Sequence, residues 1–310
     1  MAPLIECVPN FSAGRDRRVV EQIAAAIGAV PGAHVLDTHL NPDHNRSVIT
    51  FAGPASSVQE AAVRAVGKAA SLIDLNRHRG EHPRIGAADV VPIVPLEEAT
   101  LADCVPVALR VGKEIWEQWG IPVYYYESAA LRPERKNLEN VRRGGFEKLR
   151  EMVASDPSRW PDVGGPRLHP NAGATAVGAR GILIAFNVNL NSNDLHAARA
   201  IARAIRASGG SLPAVKAMGV LLRSQSDAGL AGQAQVSINL SDWKQTSLGE
   251  VFRAVEREGS RLGLAIHSSE LVGLVPAQAL EGITPEELRL AEFGPEKILE
   301  HRLAEGLKRN

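Results

Sequence analysis

Two cysteines in 310 residues leave nothing from which to build a disulfide framework. Cys7 and Cys104 each sit in an apolar stretch, Ile-Glu-Cys-Val and Ala-Asp-Cys-Val, where a buried thiol is the ordinary outcome. Charge of one sign is also missing. Lysine plus arginine and aspartate plus glutamate number 35 each, so no global field draws in nucleic acid or an anionic membrane, and no nucleic-acid partner is expected. No run reaches the ~18 apolar residues of a membrane span. The first residues, Met-Ala-Pro-Leu-Ile-Glu, lack a basic segment followed by a long apolar run, so the expectation is a cytoplasmic protein with no membrane partner. What is present is ordinary for a folded chain: 45% hydrophobic and 23% charged residues, at a length that suits one large domain or two smaller ones.

Hydrophobic periodicity gives the order of elements. Leu4 to Val8 reads as a buried strand, and Val19, Ile23, Ala26, Ile27 and Val30 follow a helical period that stops near Pro31-Gly32. Val35 to Asp37 and Ser47 to Phe51 read as antiparallel neighbours around the polar turn Asn41-Pro42-Asp43-His44-Asn45. A helix from about Ala55, a strand at Val90 to Val94, a helix through Cys104, Ala108, Val111 and Ile115, and a strand at Val123 to Tyr126 complete the first half. Prolines and glycines from about Glu151 mark a connector. The second half repeats the pattern with strands at 182–190, 215–222, 234–240 and 264–267 and helices around Leu195 to Ile205 and Leu248 to Leu262. Both halves thus carry the strand-helix-strand-strand-helix-strand order of ferredoxin-like domains, an α/β (α+β) fold expected to leave a ligand groove between two βαββαβ subdomains. The expected divisions are 1–179, 180–285 and a helical tail 286–310 that serves packing or a dimer contact.

Chemistry concentrates in Arg77-His78-Arg79-Gly80-Glu81-His82-Pro83-Arg84-Ile85-Gly86. Gly80 disfavours a helix and Pro83 pushes His82 toward extended backbone, so His82 is expected on an irregular loop beside a carboxylate and several cations. His78-Arg79-Gly80-Glu81-His82 also matches the H-x-x-E-H pattern of inverted zinc peptidases, which keeps a zinc hydrolase as the alternative reading. That pattern needs both histidines on one helical face, which Gly80 and Pro83 oppose. Asp37 and His39 share one strand face and are candidates for a functional role. Gly173-Ala-Thr-Ala-Val-Gly178 has a phosphate-loop outline but lacks the Lys-Ser/Thr, so it is read as a loop whose backbone approaches a ligand or as a simple turn. Glu270, ahead of Leu-Val-Gly-Leu-Val-Pro, is read either as a surface ion-pair member or, at a strand end, as an active-site acid.

Taken together, the sequence resembles the formimidoyltransferase family. The resemblance lies in Glu6-Cys7-Val8-Pro9-Asn10-Phe11-Ser12, Asn45-Arg46, Leu72-Ile73-Asp74, Arg77-His78, Gly80-Glu81-His82-Pro83-Arg84, Gly86-Ala87, Pro122-Val123-Tyr124, Gly173-Ala174-Thr175, Gly178-Ala179-Arg180, Leu183 to Asn187 and Leu271 to Pro276. It implies transfer of a formimidoyl group from N-formimidoyl-L-glutamate to N5 of tetrahydrofolate, with tetrahydrofolate as co-substrate, no metal, and a homodimer. Formyl transfer between 5-formyltetrahydrofolate and glutamate is the alternative within the family, and no cyclodeaminase activity is expected. The family's catalytic histidine falls on His82, with Glu270, Asp37 and His39 as polar partners. His39 and Glu270 stand where vertebrate members look to have an aspartate and a glutamine. Binding positions fall on Asn10, Arg46, Arg84, Gly86, Gly173, Thr175 and Arg180, and the folate loop falls on about Val163 to Ala172, including Gly164, Gly165, Arg167, His169, Pro170 and Asn171. A base with a pKa near neutrality is needed to take the N5 proton, and an imidazole meets that need.

Overall fold

A computed structural model describes residues 3–80, 83–222 and 232–308. Glu81 and His82 lie outside the described residues. The chain divides into two compact units, 1–181 and 182–310.

Unit 1 begins with β1 (Leu4–Cys7) and β2 (Asn10–Phe11), which pair in turn with the same two neighbouring strands. There follow α1 (Arg17–Gly28), β3 (His34–Asn41), β4 (Arg46–Pro54), α2 (Ala55–Leu72) and β5 (Ala88–Pro95). β3 pairs antiparallel with β4, β4 with β1 and β2, and these with β5. That is the ferredoxin-like arrangement expected from the periodicity. α3 (Leu101–Trp119) then leads to β6 (Val123–Glu127). α4 (Leu138–Arg142) and α5 (Gly145–Met152) precede β7 (Thr175–Ala179).

β7 corrects the reading of the Gly173 to Gly178 run. It is no loop: it is inserted between β5 and β6, parallel to both, and every residue of it is buried. Its small residues suit an interior strand of this sheet, since a Cβ on Gly178 would meet the Tyr126 ring.

The sheet has two faces because side chains alternate along each strand. Ile5, Cys7, Ile49, Phe51, Val91, Ile93, Val177 and Ala179 join one core with α1, α2 and α3. The opposite face carries no residue of that core. Around β6 this second face holds a small core of Ile85, Val90, Tyr124, Tyr126, Val141, Leu149, Ala174 and Ala176, to which α4 and α5 contribute.

Unit 2 contains β8 (Ile184–Leu190), α6 (Leu195–Ile205), β9 (Val215–Leu222), β10 (Gln233–Leu240), α7 (Leu248–Arg261) and β11 (Ile266–Val272). The strand order is β11-β8-β10-β9, all antiparallel, again ferredoxin-like. Ile184, Phe186, Val188 and Leu190 alternate with Ala185, Asn187 and Asn189, and only the first set joins α6 and α7 in the core. α7 starts with a reciprocal cap in which the Ser247 hydroxyl accepts from the Glu250 backbone and Glu250 returns to Ser247. The final helix α8 (Leu299–Lys308) buries Leu299 and Leu303, and Leu299 N donates to Val275 O at 2.9 Å, so the tail packs on its own unit.

Candidate functional site

The residues flanking 81–82 are pinned on both sides. His78 is buried, with Nε2 2.8 Å from the Asn45 carbonyl and Nδ1 2.8 Å from Arg84 Nε. An arginine can only donate, so Nδ1 accepts and Nε2 carries the hydrogen, donating to the Asn45 carbonyl. Burial lowers the His78 pKa, an effect the Asn45 contact partly opposes, and the neutral ring suits this tautomer. Both ring nitrogens are therefore engaged within the protein. Residues 78–80 also lie beyond the end of α2, so the zinc-peptidase reading, which needs a free nitrogen on a helix, loses its first ligand. Asn45 returns a bond from Nδ2 to the Arg79 carbonyl at 3.0 Å, and its positive φ of 46 fits the turn predicted there.

Arg84 was expected to be a cation for substrate. Its Nε bonds His78, while its terminal nitrogens bond both carboxylate oxygens of Glu147 at 2.9 and 3.1 Å and the carbonyls of Leu75 and His78. Every nitrogen is occupied, and Arg84 acts as a brace. These bonds hold the Glu147 carboxyl down to about 2, below its usual range. The Glu147 side chain is 53% exposed, so solvent screens most of that pairing. Glu147→Gln is expected to cost less than about 1 kcal/mol and to move the melting temperature by at most a few degrees. A thermal melt near neutral pH checks this.

The loop at 169–174 is stitched to the residues beside the 81–82 pair. Leu75 N donates to Asn171 O, Ala87 N to Ala172 O and Ala174 N to Ile85 O, at 2.8 to 2.9 Å. Asn76 Nδ2 donates to Pro170 O at 3.1 Å, and Gly86 forms a bridge with Gly173. At this bridge a Cβ on Gly86 would overlap the Ala174 carbonyl, and one on Gly173, whose φ is 72, would overlap that of Ile85. Their glycine is demanded by backbone against backbone, so the expected ligand approach at Gly86 and Gly173 gives way to a close chain crossing. His169 caps the turn, its Nδ1 accepting from Ala172 N at 3.0 Å, and burial lowers its pKa. Arg167, Pro170 and Asn171 are exposed along this loop, while Gly164, with φ 99, packs by Trp116 and Pro122 and Gly165 is half-buried. Thr175 is 1% exposed and shares a strand face with Val177 of the helix-side core.

A second group of expected residues meets on the other face of the sheet. Asp37 stands opposite Thr50, His39 opposite Val48, and Asn10 opposite both Val48 and Val90. Asp37 Oδ2 is buried with no partner among the described residues, whereas Asn10 donates to the Val8 carbonyl. Arg46, at the start of β4, lines a small cavity with Phe11, Ser12, His44, Asn45, His78, Arg84 and Asp89. Burial, and then the like charge of Arg142, lower its pKa to about 10 against the pull of Asp89. Glu6 shares this face, opposite Ala52 and Val94. It is 4% exposed, and burial pushes its carboxyl up to about 7 although the Arg180 charge pulls the other way. Arg180, just past β7, donates to its neighbour's carbonyl, Gly181 O, at 2.8 Å.

Glu270 lies in unit 2. It is inside β11 and not at a strand end, opposite Asn187, and half-buried. Its partners are carboxamides: Asn187 Nδ2 at 2.8 Å and Gln235 Nε2 at 3.2 Å, both on Oε1. Among the described residues no cation pairs with it. The alternation Gln-Ala-Gln-Val-Ser-Ile-Asn-Leu over β10 carried the signal for Gln235, since it places polar side chains on the face opposite the core.

Residues 4–180 match the N-terminal subdomain of the formiminotransferase domain, and residues 185–284 match the formiminotransferase domain. The chain is 42% identical over 305 residues to glutamate formimidoyltransferase of Streptococcus pyogenes serotype M1, covering 98% of this chain and 99% of that protein. It is 42% identical to glutamate formimidoyltransferase of Thermoplasma acidophilum, with 97% of each covered. Formimidoyltransferase-cyclodeaminase of Mus musculus is 41% identical over 90% of this chain and 51% of its own length.

Proposed function

This chain belongs to the formiminotransferase family, and from that premise we propose that it is a glutamate formimidoyltransferase, moving a formimidoyl group from N-formimidoyl-L-glutamate to N5 of tetrahydrofolate and releasing L-glutamate. The observation that carries this reading is the match to stand-alone glutamate formimidoyltransferases over nearly the whole of both chains.

The chemistry assigns roles to residues. N5 attacks the amidine carbon with its lone pair, so the N5–H proton must leave as the C–N bond forms. His82 takes that proton, and the resulting imidazolium returns it to the glutamate nitrogen as its C–N bond breaks. One group serves as base and then as acid, which asks for a pKa near neutrality. The protonated amidine is a planar cation with N–H donors, and Glu270 accepts from it through the oxygen not tied to amides. Support for this role is the carboxylate's partial exposure and its pairing, among the described residues, with neutral amides and not with a cation. Asp37 and His39, together on the far face of the first sheet, are the next polar partners. For the carboxylates of glutamate and of the folate tail, Arg46 and Arg180 are the candidates, since Arg84 is fully engaged. A homodimer and a cytoplasmic setting complete the proposal. The described helices include none long and apolar enough to cross a membrane.

A steady-state assay with N-formimidoyl-L-glutamate and tetrahydrofolate tests the activity. Formation of 5-formimidoyltetrahydrofolate with stoichiometric glutamate is expected. Turnover only of 5-formyltetrahydrofolate plus glutamate would sink the formimidoyl assignment.

A further inference from the structure

In the sheet of unit 2 the face opposite α6 and α7 is lined by carboxamides among the described residues. Asn187 and Asn189 on β8 stand opposite Ser237 and Gln235 on β10. Asn187 is 4% exposed and Gln235 1%, so two neutral polar side chains have been taken out of water beside Glu270. Their hydrogen bonds converge. Asn187 Nδ2 and Gln235 Nε2 both donate to Glu270 Oε1, Gln235 Nε2 donates also to Asn189 Oδ1 at 2.9 Å, and Asn189 Nδ2 donates to Ser268 Oγ at 3.1 Å.

Those contacts fix which way the amide of Gln235 points. Reversing it would set its oxygen against two acceptors, Glu270 Oε1 and Asn189 Oδ1. In the orientation that remains, Gln235 Oε1 is buried without a partner among the described residues. Packing alone gains nothing from this arrangement, because an apolar side chain of similar volume would fill the space without stranding an acceptor. The asymmetry at Glu270 is the informative point: one carboxylate oxygen receives two neutral donors, and neither amide bond reaches the other oxygen.

We infer that Asn187 and Gln235 are positioning residues for Glu270, saturating Oε1 and directing Oε2 at the donor substrate, so that the site selects an amidine over a formyl group. The inference rests on the proposed role of Glu270 as the acceptor for the amidinium. An amidine presents N–H hydrogens to Oε2, whereas a formyl group presents a carbonyl oxygen, acceptor against acceptor. Sites organised to bond a particular N–H reject the analogue that lacks it more sharply than apolar pockets do.

Gln235→Met and Asn187→Leu keep side-chain volume and remove the donors. The expected result for each is a rise of about tenfold or more in KM for N-formimidoyl-L-glutamate, with kcat and the KM for tetrahydrofolate within about threefold of the parent. The kcat/KM preference for N-formimidoyl- over N-formyl-L-glutamate falls by about tenfold or more in the same variants. A merely structural role would lower the melting temperature and leave that preference where it was. Gln235→Asn, which keeps the amide but withdraws it from Oε1, is the milder variant and is read in the same way. Glu270→Gln separates the two levels of the argument. If Glu270→Gln raises the donor KM while the Gln235 and Asn187 variants change neither KM nor preference, the positioning inference is overturned alone. If Glu270→Gln leaves the donor KM unchanged, the role of Glu270 falls and the inference falls with it.

Discussion

Replacing His82 by alanine is expected to lower kcat for formimidoyl transfer by about 10²- to 10⁴-fold, the range over which a positioned proton carrier acts. The size follows from the two proton movements assigned to one ring. Without it, N5 must shed its proton to water and glutamate must leave as a poorly protonated amine, so both halves of the reaction slow. Folding should be untouched. The described residues beside the stretch, His78, Arg84 and Asn45, brace one another and keep their partners in the variant. Single-turnover kinetics with both substrates bound, read beside a thermal melt, makes the measurement. A kcat within a few-fold of the parent, with an unchanged melt, would take His82 out of the mechanism. Partial recovery of the alanine variant by added imidazole would support the role directly.

The second large effect is on stability and belongs to Glu6. Its folded carboxyl holds a proton to about pH 7, against a reference value of 4.5, because burial penalises the charged form more than Arg180 rewards it. A folded pKa raised in this way gives a contribution that is complete below pH 4.5 and is lost as the pH climbs to about 7. The gap corresponds to about 3 kcal/mol. Glu6→Gln removes the ionisation, so the variant should melt several degrees above the parent at pH 8 and close to it at pH 4.5. Melting curves recorded from pH 4.5 to 8 decide the matter. Parallel curves for the two proteins would show that Glu6 carries no such linkage. Activity need not follow stability, and a variant more stable but slower at neutral pH would place this carboxyl near the reacting groups.

Local pattern carried most of the architecture. The strands and helices of the two ferredoxin-like cores announce themselves through alternation and helical period, and the antiparallel pairing of β3 with β4 follows from the turn chemistry of 41–45. β7 did not announce itself. Ala-Thr-Ala-Val between two glycines looks like a loop, and only the parallel slot between β5 and β6, strands far away in sequence, gives it a reason to extend. The bracing contacts of Arg84 are illegible for the same cause, because its partner Glu147 is 63 residues distant and no local signal joins them. Ser268-Ser269-Glu270 precedes an apolar run and reads as a strand end. The register with β8 carries the strand through to Val272, with an irregularity between Ile266 and Ser268. The burial of Glu6 is not legible in Glu6-Cys7-Val8, since nothing in sequence tells how deeply one carboxyl of a strand will be buried.

The chain crossing at Gly86 and Gly173 has a consequence for inheritance and for engineering. The backbone at Leu75 and at 85–87 is tied to that of 171–174 by amide-to-carbonyl bonds that owe nothing to side-chain identity, so each segment is the template on which the other is shaped. Grafting either one from a relative with a different spacing would misalign its counterpart. Such hybrids should work only when both stretches travel from the same parent.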